Sequence, residues 1–216
     1  CCGTTPAHIQ ALYQRCKNKT PLPIIPKNKT VTASYTHAVE IGKDPIIIGE
    51  RINPTGKSRF KQALREKDLD YILREGFSQQ EKGAHVLDVN VGLPDIDETE
   101  MLVCVMKELQ SVIDLPLQID TSNTIAMEKA LRLYNGKAMI NSVNGKKESM
   151  EAIFPLVKKY GGVVVGLTLD ENGIPPTAEG RLLVAEKIVN TAESYGILRK
   201  DIVIDVLAMT ISSDQQ

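Results

Sequence analysis

Five apolar runs in this chain end in a carboxylate or a carboxamide. Glu50 closes PIIIGE, Asp88 and Asn90 close HVLDVN, Asp120 closes LPLQID, Asn141 closes AMIN and Asp205 closes DIVID. A lone acid after a strand is more often a helix cap, but Asp97, Ser122 and Asn123 already occupy the loop positions where caps belong. The strand-end residues lie on the runs themselves. A carboxylate buried without a Lys or Arg partner needs hydrogen-bond donors from a ligand. Two parallel N–H donors on an amidine-like edge suit it bidentately. An Asn beside it both donates and accepts, which suits a ring nitrogen that changes protonation. A flat heterocycle such as a pterin combines the two features. No Ser–His–Asp, Cys–His or phosphate-loop set accompanies them, and His8, His37 and His85 are scattered and read as structural or exposed.

Positioning these groups requires parallel strands whose carboxyl ends meet. Continuous apolar stretches predict strands at Ile46–Glu50, His85–Asn90, Leu117–Asp120, Ala138–Asn141, Val163–Thr168 and Ile202–Leu207. Amphipathic helices alternate with them. Met150, Ile153, Phe154 and Val157 mark one, and Leu182, Ala185, Val189 and Ala192 another. Asp97 with Glu100 reads as a capping box, and Gly83, Gly136, Gly161 and Gly196 as glycines ending helices. Strand–helix alternation implies a parallel sheet, either a (β/α)8 barrel or a doubly wound open sheet. The barrel is preferred because polar residues end almost every strand rather than those at one switch point, and no GxGxxG follows the first strand. Six strands make a TIM barrel truncated of its last two. Upstream, Thr5–Pro6 starts a short helix to about Cys16, and Lys17–Pro45, with four Pro, reads as an extended linker. Cys16 and Cys104 fall among apolar helix positions and read as core.

The chain has 216 residues and a formal net charge of −1, which gives no case for binding nucleic acid or an anionic membrane. No apolar run reaches the length of a membrane span, and no signal peptide opens the chain. Four Cys do not form a secreted disulfide framework, so a cytoplasmic location is expected. The chain opens on Cys1 and closes on a polar segment just past a strand, as expected of a piece of a longer polypeptide.

GERINPTG, LDVNVGLPDIDE, LPLQIDTSN, MINSVNG and VVVGLTLDENGIP resemble, in order from Pro45 to Gln216, the pterin-binding barrel of cobalamin-dependent methionine synthases and of related corrinoid methyltransferases. The resemblance implies a (β/α)8 barrel that binds 5-methyltetrahydrofolate and passes its methyl to Co(I) of cobalamin on a partner domain or subunit. It implies pterin contacts at Asp120, Asn141 and Asp205, with Asn141 catalytic, and Asn53, Asp88 and Asn90 lining the same mouth. Val206 stands where some members have Pro. The opening CCGTTPAHI resembles the end of the preceding homocysteine-binding barrel, so Cys1 and Cys2 match two of three zinc ligands. The implied layout is a remnant of that barrel over 1–18, a linker over 19–44 and the incomplete pterin-binding barrel over 45–216. Such a fragment is expected to be inactive alone. The alternatives are a dihydropteroate synthase-like enzyme, whose GGESTRPG-like turn this chain lacks, and a non-catalytic folate-binding segment.

Overall fold

A computed structural model describes residues 3–208 of the chain. Six parallel strands form its centre: β3 (Ile48–Ile52), β4 (Val86–Val89), β5 (Leu117–Asp120), β6 (Met139–Asn144), β7 (Val163–Leu167) and β8 (Ile202–Asp205), side by side in chain order. A doubly wound sheet reverses its strand order at a switch point. This one never reverses, so it is the wall of a (β/α)8-type barrel, and among the described residues β3 and β8 are each paired on one side only. Two helices, α2 (Ser58–Glu66) and α3 (Leu69–Glu81), join β3 to β4. Single helices make the next crossovers: α4 (Glu98–Val112), α5 (Thr124–Leu133), α6 (Lys147–Tyr160) and α7 (Ala178–Ser194). Leu87, Ile119 and Ile140 of the strands meet Phe60, Leu102, Met106 and Phe154 of the helices in one buried core. All four residues of β4 are buried, as a strand covered on both faces should be.

Two strands run past their predicted carboxyl ends through bulges, while β4, β7 and β8 are shorter than predicted. β3 runs to Ile52 rather than stopping at Glu50, with a register shift between Gly49 and Ile52. The Arg51 N–H, released from the ladder, donates to Gln79 Oε1 at 2.7 Å. β6 runs to Asn144 through a second shift between Asn141 and Val143. Both irregularities flank the carboxyl-end mouth, where a bulge re-aims side chains.

The upstream region corrects two expectations. Helix α1 (Pro6–Cys16) starts where Thr5–Pro6 predicts, but none of its residues is buried, so Cys16 is exposed rather than core. Its stripe of Ile9, Leu12 and Tyr13 forms without anything described to cover it. Cys104, by contrast, is half-buried on α4. The presumed linker is not wholly extended: β1 (Thr30–Ala33) and β2 (Ala38–Ile41) form an antiparallel hairpin. It docks at the amino ends of the barrel strands, opposite the mouth. Thr32 is fully buried there and its Oγ1 donates to Lys137 O at 2.7 Å. Ala33 and Lys137 exchange backbone hydrogen bonds of 2.9 and 2.8 Å, and the Tyr134 hydroxyl donates to Ala33 O at 3.0 Å.

Gly136 sits beneath this junction at φ +148°, and an added Cβ would lie 2.2 Å from Ala33 O. Gly136→Ala therefore meets backbone strain and a backbone clash together, and should destabilise the protein by on the order of 2 kcal/mol. The urea midpoint measures it; a change under about 0.5 kcal/mol would show that the hairpin does not press on this turn.

Candidate functional site

Strand register builds the site. Asp88 on β4 pairs in register with Gln118 on β5, and Asp120, two residues further along β5, pairs with Asn141 on β6. Positions two apart on a strand share a face. Four polar side chains thus form one patch on the inner face of the wall. Gln118 Nε2 donates to Asp88 Oδ1 at 2.5 Å, and Asn90 Nδ2 donates to Asp120 Oδ2 at 2.9 Å.

The patch is acidic and has no basic counterpart. Asp88 is only 2% exposed, and burial, with the charges of Asp120 and Glu50 adding to it, pushes its carboxyl up to about 7. The amides of Gln118 and Asn141 pull the other way. Burial likewise raises Asp120, opposed by Asn90 and helped by Glu50 and Glu98. The nearby Lys57 turns its Nζ to the backbone oxygen of Glu50, at 2.7 Å, and not to a carboxylate. Like charges brought together in a desolvated site hold protons or attract a cationic or N–H-rich ligand.

The predicted residues separate by how far their atoms are already committed. Asn53 is buried and uses both ends of its amide internally, donating to Glu50 Oε1 and accepting from Thr55 N. Asn90 does the same between Asp120 and Gly92 N, so both brace loops and neighbours. Asp205 stands at the same end of the wall, level with Leu167, but is exposed, and its Oδ1 accepts from Leu207 N at 2.7 Å. Asp120 and Asn141 line an open polar cavity of about 410 Å³ with Thr121, Ser122, Asn144 and Ser149. Those two are the groups placed to meet a ligand. A larger apolar cavity of about 660 Å³ lies between α7 and β8, where Arg181 is held by the backbone oxygens of Pro175, Val206 and Leu207. It offers no acid.

Two participants were not among the predicted residues. Gln118 could have been found from its i, i+2 spacing to Asp120. Glu98 could not: it opens α4, accepts the Thr121 hydroxyl hydrogen bond and adds its charge beside Asp120. His85 is structural, as expected, its Nδ1 accepting from Ile47 N at 2.9 Å. The predicted zinc ligands Cys1 and Cys2 lie outside the described residues, and among those described no cluster of three His, Cys, Asp or Glu could hold a metal ion.

A family model described as pterin binding enzyme matches residues 49–216. The whole chain aligns with methionine synthase of Mycobacterium tuberculosis (strain ATCC 25618 / H37Rv), 32% identical over 225 aligned residues, and with methionine synthase of Mycobacterium leprae (strain TN), 31% identical over 234. It spans 19% of the length of each. Among solved structures, dihydropteroate synthase from Vibrio fischeri ES114 superposes with a TM-score of 0.58 at 14% identity, covering 83% of this chain and 68% of that one. Xanthomonas albilineans dihydropteroate synthase gives 0.62 at 20% identity, covering 82% and 64%. At these identities the likeness to the two synthase structures is one of fold.

Proposed function

The chain belongs to the pterin-binding enzyme family, and we propose that it is the folate module of a cobalamin-dependent methionine synthase, binding 5-methyltetrahydrofolate and presenting its methyl to Co(I) of a corrinoid held on another domain or subunit. The observation that carries this reading is the register pair Asp120–Asn141 at the open end of the wall, lining a polar cavity and set among acids.

Each residue then has a physical task. Asp120 accepts the paired N–H donors of the pterin edge, a charge-assisted contact. Asn141 pairs with it in register, and its amide is assigned to the ring nitrogen that bears the methyl. A methylated amine leaves readily only when that nitrogen is protonated, and the field of Glu50, Asp88 and Asp120 favours the added positive charge. The corrinoid supplies the nucleophile, so a side-chain nucleophile is not required. The chain's own work is to orient the pterin and hold a proton at the ring nitrogen.

Dihydropteroate synthase chemistry is the second reading, but β4 runs here into NVGLPDIDE rather than a GGESTRPG-like turn. Calorimetry with 5-methyltetrahydrofolate tests the site directly. Asp120→Ala removes a charged acceptor and should weaken binding by roughly 1.5–3 kcal/mol. Unchanged affinity would remove Asp120 from the site. Methyl transfer to Co(I) cobalamin, followed by absorbance, tests the reaction.

A further inference from the structure

We propose that Gln118, which neither the family resemblance nor the cavity lining assigns, is a positioning residue that clamps the buried Asp88 carboxyl and thereby fixes which end of the Asn141 amide faces the ligand. The role rests on the pterin reading above.

Gln118 is only 6% exposed, yet one end of its amide is used and the other is not. Nε2 donates to Asp88 Oδ1, while Oε1 is fully buried and has no hydrogen-bond partner among the described residues. Only one other buried side-chain atom among the described residues, Gln80 Oε1, is left unpaired; such an atom needs a reason, and functional sites are where such reasons are found. Its strand neighbours are apolar, Leu117 and Ile119, and so is Met139, level with it on β6. An apolar side chain of the same length would fill the place without the orphaned oxygen. What it would not do is hold Asp88.

Holding Asp88 matters because one carboxyl oxygen is then fixed by Gln118, and the Asn141 amide, one strand beyond Gln118 on the same inner face, is the other group that stabilises this carboxylate. While the carboxyl is ionised, it attracts the Asn141 NH2 group and leaves the amide oxygen to accept from a protonated ring nitrogen. Once protonated, it donates to that amide oxygen and turns the NH2 group toward the ligand. The clamp favours the ionised form, since an N–H donor stabilises a carboxylate. It works against burial, the largest influence, and against Asp120 from β5 and Glu50 from β3, with Glu98 from α4 behind Asp120; Asp88 is thereby held near 7, where both states are accessible.

The test uses the full-length protein with Gln118→Met, which keeps length and packing but removes the donor. Asp88 titration is read by carbon NMR of the ligand-free protein, and 5-methyltetrahydrofolate affinity and methyl transfer are measured from pH 5.5 to 9. The expected result is an upward move of the Asp88 titration and of the rate profile by about one pH unit, with methyl transfer at pH 7 down about fivefold and affinity within about threefold. Gln118→Asn, which keeps an amide but withdraws it by one methylene, gives the same reading should Gln118→Met fail to fold. A wild-type protein that binds the folate, with titration and rate profile unmoved in the variant, overturns the positioning role alone. A wild-type protein that binds no 5-methyltetrahydrofolate overturns the functional reading and this role with it.

Discussion

Asp88→Asn should make the protein more stable, and the gain should grow with pH. The carboxyl is 2% exposed and its pKa stands at about 7 against an ordinary 3.8. Below pH 3.8 both folded and unfolded chains are protonated at this group and it contributes nothing. Between 3.8 and 7 the unfolded chain gives up the proton while the folded one keeps it, so stability falls as pH rises through that window. Above 7 both are ionised and the full penalty remains, on the order of 4 kcal/mol at pH 8 and under about 2 kcal/mol at pH 5. Asn is isosteric and still accepts from Gln118 Nε2, so the substitution removes the charge without emptying the site. Urea unfolding at the two pH values measures the difference between variant and wild type. A difference that does not widen from pH 5 to pH 8 would show that Asp88 is not the buried titrating group. Activity should fall as stability rises, as expected where a site holds like charges together for chemistry.

That tension explains why the mouth was readable from the sequence. Asp88 interrupts an otherwise apolar strand, and Asp120 and Asn141 close largely apolar runs, a pattern a purely structural strand avoids, so they stood out without any knowledge of their neighbours. The order of the strands followed from the alternation with helices. Gln118 carried only its i, i+2 spacing to Asp120, because a Gln in a short strand otherwise reads as ordinary surface and acquires its full meaning from Asp88 across the ladder. Glu98 was hidden for the same reason: in the first turn of a helix an acid is routine. The hairpin was missed because TVTASYTHAVEI follows a Pro-rich stretch, its strands are four residues each, and its turn has no Gly. Such a hairpin is held by docking against Lys137 and Tyr134, contacts more than a hundred residues away. The Cys16 error has the opposite origin: the apolar stripe on α1 was read correctly, but a stripe does not say whether anything covers it.

Asn141→Ala should lower the rate of methyl transfer from 5-methyltetrahydrofolate to Co(I) cobalamin by roughly 10²–10³-fold, while folate affinity changes by less than about fivefold. The asymmetry follows from what the side chain touches. In the proposed complex Asp120 provides the charged acceptor for the pterin edge, and Asn90 holds that carboxylate in place. Ground-state binding therefore does not depend on the neighbouring amide. Asn141 is fixed by its backbone, whose oxygen accepts from Thr121 N at 3.1 Å, and its side chain is left to line the cavity beside Asp88. In the proposed reaction an amide held there acts on the ring nitrogen, the atom that changes most between substrate and transition state as it takes the proton and releases the methyl. An interaction that strengthens along the reaction raises the rate without tightening binding. Calorimetry gives the affinity and rapid-mixing absorbance the rate, both on the same protein at pH 7. Equal losses in the two would mean that Asn141 only holds the ligand, and the proton would then have to be placed by Asp120 or Asp88 directly.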